Sequence, residues 1–185
     1  MLGGNGRTPY AEGSLAMATK SNFTPDEWSR LLSSPMVAGM AITAADPSGV
    51  WGLLKEGMAG GWALLEARQN AQASPLVRAV AEDFATAEGR AAARTALQGR
   101  FSGTTFSAMK ATALNELRSV SEILNAKAPD EAAAFNAWLQ EVAQKAAEAG
   151  KEGGFLGFGG VAVSETEKAT LSEISAALRL ETVSS

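Results

Sequence analysis

The stretch Asp46–Asn70, DPSGVWGLLKEGMAGGWALLEARQN, constrains the fold of this chain more than any other. Trp51, Leu54, Met58, Trp62 and Leu65 recur at steps of three, four, four and three, the spacing that aligns side chains on one face of a 3.6-residue helix. A stripe of that kind needs burial. Asp46, or Ser48 after Pro47, offers an N-cap oxygen, and proline suits a first turn where no backbone N–H is required. From Ser48 to Asn70 such a rod runs roughly 34 Å at about 1.5 Å per residue, which predicts a central helix for a bundle. Gly57, Gly60 and Gly61 each disfavour it by about 1 kcal/mol relative to alanine, so a close neighbour has to compensate. Two readings stay open for Gly57, Gly60, Gly61 and Trp62: a glycine-lined groove packed by another helix, or a slot for a ligand or lipid tail.

The rest of the chain repeats the helical pattern between cap signals. Thr24-Pro25-Asp26-Glu27 is a capping box, from which a short helix with Trp28, Leu31 and Leu32 is expected to run until Ser34-Pro35. That pair then launches Met36–Ala45, a run apolar on all sides and therefore buried. It falls short of the roughly 20 residues that cross a bilayer. Ser74-Pro75 starts a helix expected to reach Leu97, with Val77, Val80, Ala81, Phe84, Ala87 and Ala91 on one side. Thr104 or Thr105 caps the next, whose seam is Phe106, Met109, Ala113, Leu117, Val120 and Leu124. Pro129-Asp130-Glu131 opens another, with acids where the helix dipole favours them, and Phe135, Trp138, Leu139, Val142 and Ala146 inward. Alanines crowd this helix and the Gly89–Ala96 region, which predicts tight helix packing.

Gly153–Val163, GGFLGFGGVAV, precedes a second capping box, Ser164-Glu165-Thr166-Glu167, and a last helix with Leu171, Ile174 and Leu178 inward. A phosphate loop would need a lysine after the glycines and a strand before them, and the sequence offers neither. Phe155, Leu156 and Phe158 are instead read as a plug between helices or as an exposed apolar loop that docks a partner or a membrane surface.

Composition narrows the chemistry. The chain has no cysteine and no histidine, which removes thiolate nucleophiles, disulfides, zinc sites of the usual N/S type and every histidine-dependent triad. A net charge of −4 argues against nucleic acid, whose phosphates call for clustered Lys and Arg. At 185 residues one domain suffices, burying about 70 % of the surface its unfolded form exposes. Met1–Asn22 lacks a signal-peptide core and is expected as a disordered extension, with the protein cytoplasmic. Carboxylates are the remaining ligands. Glu56 and Glu66 nevertheless stand about 80° apart around one helix, ten residues at roughly 100° each.

The turn Ala45-Asp46-Pro47-Ser48-Gly49, together with Val161, Ser164, Glu167, Leu171 and Ile174, resembles the pattern of TerB-like, tellurite-resistance type helical proteins. The resemblance covers only those two segments. It implies an all-helical fold and carboxylate metal binding in which Asp46 is the one position that carries over. WGLLKE and GFLGFGGV also resemble uncharacterised bacterial proteins.

The sequence thus predicts an all-α, single-domain bundle of six or seven helices over residues 23–181, with a short tail at 182–185. The expected function is non-enzymatic: a helical interaction or accessory protein without a cofactor, binding a protein partner or itself. Divalent-ion binding at Asp46, and peripheral membrane or lipid binding, stand as alternatives.

Overall fold

The computed structural model describes residues 18–45, 58–149 and 163–179. Among these residues there are seven α-helices and no strand: α1 Pro25–Ala45, α2 Met58–Gln69, α3 Pro75–Phe84, α4 Ala87–Phe101, α5 Phe106–Lys127, α6 Pro129–Ala149 and α7 Glu165–Ala177. The all-α class expected from periodicity is the class observed. None of the described helices is long and apolar enough to cross a membrane.

The helix at the centre is α1, which packs against all six others. The Asp46–Asn70 stretch expected to form a central helix lies partly outside the described residues. Of that stretch Met58–Gln69 is described, and there Ala63, Leu64 and Ala67 are buried while Leu65 is 43 % exposed. In α1, Leu31, Leu32, Ala38, Ala41 and Ile42 are buried along successive turns.

α1 also runs straight through Ser34-Pro35, where the sequence predicts a stop. Proline at 35 withholds the N–H that the Leu31 carbonyl would otherwise accept, and such a break is normally costly. Here the Ser34 hydroxyl donates to that same Leu31 oxygen at 2.8 Å. The orphaned acceptor is satisfied inside the core, so the helix continues.

A second correction runs the other way. The helix expected from Pro75 to Leu97 is two, broken at Ala85-Thr86. Thr86 Oγ1 donates to the Asp83 carbonyl at 2.7 Å and accepts from the Gly89 N–H at 2.9 Å, ending one helix and capping the next. The two backbones approach so closely that a Cβ at Gly89 would collide with the Asp83 carbonyl oxygen.

Both capping boxes form. Thr24 N donates to Glu27 Oε2 at 2.7 Å and Glu27 N to Thr24 Oγ1 at 3.3 Å; Ser164 and Glu167 repeat the exchange at 2.8 and 3.2 Å. In α5 the seam from Ala113 to Leu124 is buried, but Phe106 at its start is 42 % exposed. α7 sets Leu171, Ile174 and Leu178 into the core as expected. A polar seam reinforces it: buried Asn136 donates to Ser121 Oγ and the Leu178 carbonyl, both at 3.0 Å, and Gln140 donates to the Leu171 carbonyl at 3.2 Å.

Residues 18–22, which the sequence assigns to the N-terminal extension, belong to the fold. The Ala18 N–H donates to Glu131 Oε1 at 3.0 Å, and Lys20–Asn22 form a 3-10 turn. Lys20 and the Trp28 indole both donate to Asp83 Oδ2, at 2.9 and 2.6 Å.

Candidate functional site

Of the residues that the sequence singles out, Asp46, Gly57, Phe155, Leu156 and Phe158 lie outside the described residues, as do Trp51, Leu54 and Glu56. Gly60, Gly61 and Trp62 fall within α2. The structure brings the C-terminal half of α2 against α3 and α6, and there a groove of about 250 Å³ opens.

Each wall has a local cause. Ser74 caps α3 by accepting from the Val77 N–H at 3.3 Å, and Pro75 follows at the first position. Buried Glu131, in the first turn of α6, accepts from the Leu76 N–H at 2.6 Å and so ties the start of α3 to the start of α6. Ala63 and Ala67 come from α2, Ala73 and Val77 from the α3 side. Ala134, Ala137, Trp138 and Val142 come from α6. Trp138 is half-buried, held edge-on against fully buried Phe135 with ring centroids 5.2 Å apart.

Alanines that the sequence assigns to close helix packing divide into two sets. Ala93, Ala132, Ala143 and Ala147 are buried between helices. Ala134 and Ala137 are exposed and line the groove.

At the mouth, the Lys145 ammonium reaches across to Glu66 Oε2 at 2.6 Å and to Glu141 Oε1 at 3.1 Å. The hydrogen bond to Glu66 lifts the Lys145 ammonium above the usual lysine range, burial works against it, and Glu141 adds to the rise. Two carboxylates share one ammonium, so the groove carries a net negative charge. Glu141 and Lys145, four apart on a helix, were legible as a pair in the sequence. Glu66 was not, because its partner lies 79 positions away.

A second, more open groove of about 530 Å³ runs between α1 and α4. At its end Arg30 binds Asp26 and Glu116, at 3.2 and 2.7 Å, and Arg100 binds the same two carboxylates, at 2.7 and 3.1 Å. Burial opposes ionisation of Asp26, and the two guanidiniums overcome it and hold its carboxyl below the ordinary range. This ring of two cations and two anions is internally neutral and pins α4 and α5 to α1. It reads as a structural lock.

Among the described residues no three Asp or Glu side chains converge as a metal site would require. The α2–α3–α6 groove combines an aromatic wall, small side chains that leave room, and an uneven charge balance. No protein family, characterised protein or solved structure compared with the chain matches it.

Proposed function

We propose that this chain is a non-enzymatic, cytoplasmic accessory protein that binds a protein partner through the groove between α2, α3 and α6. The observation that carries the reading is Trp138, a large half-buried aromatic beside exposed Ala134 and Ala137 in an open space of about 250 Å³. Aromatic anchors in partly desolvated pockets supply much of the energy of protein interfaces. The chain holds no histidine or cysteine, which removes imidazole and thiolate chemistry from its means of catalysis.

A photo-reactive benzoyl-phenylalanine in place of Ala137 tests this in cells, with Ala133, exposed on the same helix and outside the groove lining, as the control. Illumination is expected to give a discrete heavier adduct from position 137 and none from 133. Identical adduct patterns from both positions would refute the reading.

A further inference from the structure

We infer that the partner segment seated in this groove is a basic amphipathic helix, with an apolar side chain against Trp138 and a lysine or arginine against Glu66 and Glu141. The inference rests on the groove being the binding surface and adds the chemistry of what fills it. Lys145 engages one oxygen of each carboxylate, and an ionised carboxylate accepts up to about four hydrogen bonds, so both acids have capacity for a second cation. Glu66 and Glu141 side chains are 60 % and 59 % exposed, within reach of an incoming donor. Ala63, Ala67, Ala137 and Trp138 line the same groove as the two carboxylates, so apolar side chains and charge lie together there, the combination that helix-in-groove recognition uses.

The indole of Trp138 suits the same occupant, since an aromatic face attracts a cation as well as an aliphatic chain. The whole chain, at −4, adds a field of the same sign that steers basic segments inward. A second copy of the protein brings that negative charge with it, and an acidic segment would meet two carboxylates. Charge therefore selects a basic partner over either.

Fluorescence anisotropy with three labelled peptides tests this. They share one leucine and alanine stripe and carry Lys, Gln or Glu at the flanking positions. At low salt the Lys peptide is expected to bind about five- to tenfold tighter than the Gln peptide, the size of one or two exposed ion pairs, with the Glu peptide weakest. The double variant Glu66→Gln/Glu141→Gln is expected to bring the Lys peptide to the level of the Gln peptide while the Gln peptide keeps its affinity. Circular dichroism melting checks that the variant stays folded. Ala137→Arg is expected to weaken all three peptides.

Equal binding of the Lys and Gln peptides, both lost in Ala137→Arg, would overturn the basic-helix inference and leave the groove standing as the interface. No binding by any peptide, or binding that survives Ala137→Arg, would overturn both. Nuclear Overhauser contacts to Ala137 without peptide, from a second copy or from residues of the chain that neither line the groove nor neighbour Ala137 along α6, would likewise overturn the inference by naming another occupant.

Discussion

Replacing Ser34 with alanine removes the hydroxyl that donates to the Leu31 carbonyl at 2.8 Å, in a helix where Pro35 has already taken away the backbone donor. Ser34 is fully buried, so no water reaches the abandoned oxygen. Leaving a buried acceptor unsatisfied costs about 1–3 kcal/mol, against about 0.5–1.5 for an ordinary hydrogen bond. For a domain of this size each kcal/mol corresponds to roughly 2–4 °C of Tm. The informative experiment is the cycle with Pro35→Ala. Alanine at 35 returns an N–H that can reach the Leu31 carbonyl, so in that background Ser34→Ala is expected to cost under about 0.5 kcal/mol, within the range of a neutral substitution. Guanidinium unfolding followed by circular dichroism gives the four free energies. An equal cost of Ser34→Ala in both backgrounds would refute the account of how α1 passes through its proline.

Gly89→Ala is expected to destabilise by about 1–3 kcal/mol, because its Cβ would meet the Asp83 carbonyl, whereas Gly99→Ala enters open space in α4 and is expected to gain up to about 1 kcal/mol. Comparative thermal melts separate the two. Phe135→Ala, at a fully buried ring that holds Trp138 upright, is expected to cost about 3–5 kcal/mol in chemical unfolding. Burial works to raise the Asp83 carboxyl, but the bonds from Trp28 and Lys20 prevail and hold it below its ordinary 3.8. A carboxyl depressed in the folded state adds stability above its unfolded pKa and loses it as pH falls through the folded value. Acid titration of stability is thus expected to show a loss starting near pH 4 that is smaller in Asp83→Asn.

Part of this architecture was written in the sequence and part was not. The Thr24 and Ser164 capping boxes and the seams of α5 and α7 are local patterns, complete within a few turns, so periodicity alone locates them. Ser34-Pro35 misleads because the same two residues start a helix elsewhere, at Ser74-Pro75; a hydroxyl one residue before proline can cap a new helix or repair an old one. The break at Thr86 hides inside an unbroken apolar pattern, because it rests on a close approach of two backbones at Gly89 that periodicity does not register. The groove was least legible. Alanine reads identically whether it lets helices close or holds them apart, and Glu66 meets Lys145 only through the packing of distant helices.

The chain has no cysteine, so Ala137→Cys introduces the single thiol of the protein, and Ala133→Cys does the same outside the groove. The most direct measurement is the rate of maleimide labelling of each variant, purified and then inside cells. A groove occupied by a partner gives fast labelling of both thiols in the purified protein and selective protection of position 137 in cells. Equal labelling of 137 and 133 in cells would contradict the claim that this groove is where the protein meets its partner.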